Sequence, residues 1–85
     1  MISSTVTVTT TATELVASTP NATRYIWLEP TTKIHIGGAN VTTSTGLTVD
    51  ANSQIQIVLP PLNSLWGIAD TGSHSVIVLQ PSGDF

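Results

Sequence analysis

The chain has 85 residues, no cysteine, two basic and five acidic side chains, and a net charge of −3. That length allows one domain, residues 1–85, and the missing cysteines exclude disulfides and thiolate metal sites. Two basic groups, Arg24 and Lys33, are too few for a phosphate-binding patch, which excludes nucleic acid and anionic membrane as expected partners.

The first strand is expected from Ser3 to Thr10, where Thr and Val alternate in Ser4-Thr5-Val6-Thr7-Val8-Thr9. Branching at Cβ favours a pleated surface over a helix, and period 2 turns one face to a core and one to water. A second strand, Thr13 to Ala17, ends at the turn Ser18-Thr19-Pro20-Asn21. A third, Thr23 to Glu29, stops before Pro30 and sets Tyr25, Trp27 and Glu29 on one face, Arg24, Ile26 and Leu28 on the other. Large apolar groups on both faces predict cover on both sides. The fourth, Lys33 to Ile36, runs into Gly37-Gly38, where positive φ or a bulge would allow a tight turn.

Val41-Thr42-Thr43 reads as a short extended piece, Ser44-Thr45-Gly46 as a turn and Leu47-Thr48-Val49 as another strand. Asp50-Ala51-Asn52 turns into the strand Gln54 to Leu59. Pro60-Pro61 cannot join a central ladder, because proline lacks the donor. Leu65 to Ala69 and Val76 to Leu79 complete the set, with Asp70-Thr71-Gly72-Ser73 expected as the hairpin loop between them. About eight short strands with regular turn signals predict an all-β fold, a small antiparallel β-sandwich or barrel. Val6, Val8, Ile34, Ile36, Ile55, Ile57 and part of Val76–Leu79 should point inward.

A domain this small buries roughly 60% of its unfolded surface. Small folds commonly add a disulfide, a metal or a second copy. Self-association or docking on a larger partner is the remedy left open. Threonine and serine supply 24 residues, so the surface is polar through hydroxyls and suits packing with few ion pairs. No basic n-region or apolar h-region follows Met1, so no secretory route is expected and the sequons at Asn21 and Asn40 predict no glycan.

The motifs that could carry chemistry have plainer readings. Ile68-Ala69-Asp70-Thr71-Gly72-Ser73 matches the short aspartic-protease motif, yet too little chain follows for the body of such an enzyme, and Asp-Thr-Gly-Ser is ordinary turn chemistry. Ser73-His74 with Asp70 supplies triad letters, but neighbours in one turn do not converge. His35, opposite in phase to Ile34 and Ile36, and His74, at a loop edge, are both expected to be exposed. Neither has carboxylates spaced for zinc. No catalytic, cofactor-binding or metal-binding residue is assigned. The anchors expected for a partner are Leu62, Leu65 and Trp66 in and after the proline connection, with Tyr25, Trp27 and Phe85. Tyr25 and Trp27 could alternatively stack on a sugar.

The order of segments carries a resemblance: the Thr/Val-rich opening strand, then Ala12 to Arg24, then Ile34-His35-Ile36-Gly37-Gly38-Ala39-Asn40-Val41-Thr42-Thr43-Ser44-Thr45-Gly46, then Leu65-Trp66-Gly67-Ile68-Ala69 and a Val-rich last strand. This is similar to small all-β virion proteins of tailed bacteriophages, among them head-decoration (cement) proteins. It departs from them at Trp27-Leu28-Glu29-Pro30 and at Pro60-Pro61. The resemblance implies a non-enzymatic structural protein, made in the host bacterial cytoplasm and located on the capsid surface of the virion. It also implies that the partner is the major capsid protein and that the protein is a homo-oligomer, a trimer being the form that suits capsid three-fold axes. The rival expectation is a tail or fibre module binding a host-surface glycan.

Overall fold

The computed structural model describes residues 2–18, 20 and 23–80. They form eight strands: β1 (Ile2–Val8), β2 (Thr13–Val16), β3 (Arg24–Pro30), β4 (Ile34–Gly37), β5 (Leu47–Val49), β6 (Ile55–Leu59), β7 (Leu65–Ala69) and β8 (His74–Gln80). These make two four-stranded sheets, β1-β8-β3-β6 (sheet A) and β2-β7-β4-β5 (sheet B), and every pairing is antiparallel. Two separate sheets settle the sandwich-or-barrel alternative in favour of the sandwich.

The strand order follows from one long ribbon rolled up. β1 pairs with β8, β2 with β7, β3 with β6 and β4 with β5. The residue numbers of each pair add to 82 along β1 and β8, to 80 or 81 along β2 and β7, and to 83 along the other two pairs. The chain thus runs out to a tip at residues 38–46 and returns alongside itself. Folding that ribbon over brings β3 beside β8 and β4 beside β7, which is the topology of a jelly roll.

Period-2 patterning decides which residues meet between the sheets. Val8, Leu15, Ile26, Leu28, Ile34, Ile36, Val76 and Val78 are buried there, with Val6, Ile55 and Ile57 half-buried at its margin. The expected inward set is therefore correct in phase, but Ile57, expected to be fully buried, is only half-buried at the open margin, as are Val6 and Ile55. Arg24 is also inside, 7% exposed, at one end of the core. Its Nη2 donates to the carbonyls of Ala17 (3.0 Å) and Asn63 (3.4 Å), which ties two connections together. After Val8 the chain leaves sheet A for sheet B, and the Thr9 carbonyl accepts from Ala69 N at 2.9 Å, bracing that corner.

Five expectations need correction. The β7–β8 connection is no hairpin: β7 lies in sheet B and β8 in sheet A, so Asp70–Ser73 crosses between layers. Gly72 has φ +68°, as a tight crossing there requires. Val41-Thr42-Thr43 is not extended, because the Thr42 hydroxyl takes the amides of Ser44 and Thr45 and competes with any ladder. Gly37 and Gly38 have no positive φ; Gly37 instead makes room for Val41, whose Cγ2 would lie 3.2 Å from an added Cβ. Finally, β3 is covered on one face only, since Tyr25 and Trp27 are 54% and 42% exposed. Strand β3 also runs one residue further than expected. Pro30 pairs only with Val76 of β8, where β6 has already ended, so its missing N–H leaves no ladder bond unmade.

Candidate docking surface

Alternation turns Tyr25, Trp27 and Glu29 of β3, Ser75, Ile77 and Leu79 of β8, and Gln56 and Val58 of β6 to the outer face of sheet A. The register arranges them in rows. Tyr25 stands beside Val58, Trp27 lies between Leu79 and Gln56, and Glu29 faces Ile77. The result is an apolar stripe, Val58–Tyr25–Trp27–Leu79–Ile77, across the middle of the sheet. The hydroxyls of Ser3, Thr5 and Thr7 on β1 border it on one side, and the amide of Gln56 on the other. Beside Trp27 the stripe dips into a groove of about 200 Å³, walled by Ile77 and Leu79 and closed by Glu29 and Gln54. Gln54 Nε2 donates to Glu29 Oε2 at 3.1 Å.

The outer face of sheet B differs, because the ribbon tip folds back over it. Val41 is buried there, against Gly37 and Gly46 and away from the main core. His35 lies beneath the same loop and is 6% exposed. The expectation of an exposed His35 was wrong for that reason: a Cβ at position 46 would lie 2.6 Å from the His35 Cβ, and glycine lets the loop close over that residue. Once buried, the ring is fully partnered. Nε2 is 3.0 Å from Asp70 Oδ1 and Nδ1 is 3.2 Å from Thr48 Oγ1. An ionised Asp70 can only accept, so Nε2 donates to it, and Nδ1 shares the second hydrogen bond with the Thr48 hydroxyl, which can serve as donor or acceptor. Lys33 Nζ lies 3.6 Å from the other Asp70 oxygen. The hydrogen bond from His35 is the main cause that holds the Asp70 carboxyl below its ordinary 3.8; partial burial opposes it and the Lys33 charge adds to it.

Hydroxyl, imidazole and carboxylate thus stand in line, as in hydrolase triads, although the sequence pointed to a different trio. A triad also needs donors aimed at an oxyanion. The amides of Thr45 and Gly46 beside His35 are spent on the Thr42 carbonyl (3.3 and 3.0 Å). The network works as a clasp that fixes the Asp70 crossing to β4 and β5. His74, half-buried, contributes Nε2 at 2.7 Å from the Thr71 carbonyl in the same crossing. Among the described residues no group of three metal-ligating side chains comes together.

The six residues expected as anchors do not form one surface. Tyr25 and Trp27 share the outer face of sheet A. Trp66 lies on the opposite outer face, half-buried, with Nε1 donating to Ser64 Oγ at 2.9 Å. Leu65 is 5% exposed in the core and presents nothing outward, because its phase on β7 is that of Gly67 and Ala69. Leu62 is 74% exposed at the tip of the proline connection, and Phe85 lies outside the described residues. Sequence reasoning missed Val58, Ile77 and Leu79. The signal was present: Ser75-Val76-Ile77-Val78-Leu79 is apolar in both phases, and a two-layer fold can bury only one.

The architecture and surface together define a small jelly-roll sandwich in which, among the described residues, the ribbon tip lies over part of one outer face and the other is left open. The chain has no match among protein-family models, curated proteins or solved structures.

Proposed function

We propose that the protein is a non-enzymatic structural component of a bacteriophage virion, a decoration protein that sets the outer face of sheet A against the major capsid protein on the outside of the head. The observation that carries this reading is the open stripe of Tyr25, Trp27, Val58 and Ile77, which are 54, 42, 54 and 41% exposed. Contiguous aromatic and aliphatic groups with a polar border have the anatomy of a protein interface. The jelly roll recurs in viral capsid domains, which adds support by analogy of fold. The protein works mechanically: it covers apolar area on itself and on capsid subunits and holds neighbouring subunits together, as a small homo-oligomer whose three-fold form would match capsid three-fold axes.

Arg24 is buried and Lys33 lies beside Asp70, so attachment rests on apolar and hydroxyl contacts. Binding to stripped particles should then be nearly unchanged between roughly 0.1 and 1 M salt, where the Debye length falls from about 10 to 3 Å. In co-sedimentation Trp27→Ala should weaken binding about tenfold or more, as loss of a central aromatic anchor does, and Lys33→Ala should leave it unchanged. Release by moderate salt, or a larger defect in Lys33→Ala, would overturn the reading.

A second reading draws on the groove itself. Trp27 beside the Glu29–Gln54 pair joins a ring face to planar hydrogen-bonding groups, the combination that recognises sugars. A glycan-array hit abolished by Trp27→Ala, with no binding to particles, would favour it.

A further inference from the structure

Each sheet of a sandwich ends in strands with unused N–H and C=O groups, and proteins usually blunt such edges with charge, proline, bulges or very short strands. Three of the four edges here are managed. β2 carries Glu14 and a register shift between Glu14 and Val16. β5 has three residues. β1 shows only hydroxyls on its outer face, touches β2 and β7 of the other sheet, and runs straight into the corner braced by the Thr9–Ala69 bond. β6 has none of these devices. Ile55-Gln56-Ile57-Val58-Leu59 contains no charge and no proline, and it pairs with β3 over five consecutive residues without a bulge.

The side chains along this edge are also uncovered. Ile55 and Ile57 point between the sheets yet remain half-buried. Leu47, on neighbouring edge strand β5 and in phase with buried Ile36, is 57% exposed. Val58, on the outer face, is 54% exposed. The sandwich is closed along β1 and β2 and open along β5 and β6.

We infer that β6 pairs with β6 of a second copy, antiparallel about a two-fold axis near Ile57, joining two A sheets into one eight-stranded sheet. The strand suits its own copy. An antiparallel two-fold sets Gln56 opposite Val58 of the partner and Ile55 opposite Leu59, so no like charges meet. Pairing supplies the missing ladder partners, covers the open side of Ile55 and Ile57, and makes the two apolar stripes continuous across the seam. The inference deepens the self-association in the proposed function and rests on it only in that respect. The free protein is then a dimer, and a three-fold arrangement would belong to the particle-bound form.

Purified protein alone tests it, by analytical ultracentrifugation from micromolar to near-millimolar concentration. The wild type should be a dimer at the upper end. Gln56→Lys with Val58→Lys places lysines opposite each other across the seam and should raise the dimer dissociation constant at least about tenfold. Thr5→Lys with Thr7→Lys, the same charge change on β1, should leave it unchanged, and so should Ile77→Lys in the middle of the face. All these positions are exposed, and circular dichroism checks that each variant is folded. In the wild type, β6 amides pointing away from β3 should exchange slowly at high concentration and quickly on dilution. A wild type that stays monomeric throughout overturns the inference. So does loss of the dimer in Thr5→Lys/Thr7→Lys, which would place the contact on β1, or in Ile77→Lys, which would place it on the open face. No particle is present, so failure here leaves capsid docking standing, and failure of docking leaves the edge pairing standing.

Discussion

Replacing Gly46 by alanine isolates the contact that folds the ribbon tip onto sheet B. Gly46 is not at positive φ, so backbone conformation alone would let alanine stabilise the fold by about 0.4–1 kcal/mol through the unfolded chain. The new Cβ, however, would lie 2.6 Å from His35 Cβ, 2.8 Å from Val41 Cγ2 and 3.1 Å from the His35 carbonyl carbon. Comfortable carbon–carbon separation is about 3.5–4.0 Å, so the overlap is roughly 1 Å. None of these atoms is the free end of a flexible side chain. Either the core around His35 is overpacked, at about 1–3 kcal/mol, or the tip lifts and uncovers Val41, at a similar cost. The clash outweighs the entropic gain, and a net loss of about 2 kcal/mol should lower the melting temperature by roughly 10 °C in a domain of this size. Gly38→Ala provides the contrast. Its Cβ would meet nothing nearer than Asn40 Oδ1 at 3.5 Å, so it should be neutral or slightly stabilising. Thermal and urea melts of both variants decide the matter. A Gly46→Ala protein as stable as wild type would mean that the tip does not rest on His35.

Two further expectations concern stability. Ile26, 0% exposed, should lose about 2–5 kcal/mol on truncation to alanine, and half-buried Ile57 clearly less; equal losses in urea melts would refute the assigned depths. Asp70 has its carboxyl lowered in the folded state, so its contribution is present above the unfolded value near 3.8 and is lost as pH falls through the lower folded value. Wild type should therefore be more stable than Asp70→Asn at neutral pH and the gap should close in acid; a gap independent of pH would contradict the clasp.

The strands were legible because β-branched residues in period 2 leave little alternative to a half-buried sheet. Val8, Ile34 and Ile36 were correctly turned inward by the same rule. The partners of those strands were less legible. Asp70-Thr71-Gly72-Ser73 has the chemistry of a turn, and that chemistry serves a hairpin and a crossing between layers equally well. His35 was misjudged because alternation fixes its face, while its burial depends on a loop whose return is permitted by a glycine eleven positions later. For the docking surface, the shared face of Tyr25 and Trp27 was readable from β3 alone. Their neighbours Val58, Ile77 and Leu79 needed the register of three strands that are far apart in sequence.

The rolled ribbon also bears on how the chain can find this arrangement. Between Val8 and His74, which face each other, lie 65 residues, and a pairing closed directly over that span would be entropically slow. The nearly constant pairing sums provide another order of events. Once β4 and β5 close around the nine-residue tip, β3 and β6 are separated only by residues 31–33 and 50–54. Each pair brings the next within reach of two short connections. Closing about eight residues instead of 65 lowers the entropic demand of the last step by roughly 2 kcal/mol. A fold whose contacts are mostly distant in sequence is thus accessible through a series of local closures, zipped outward from the tip.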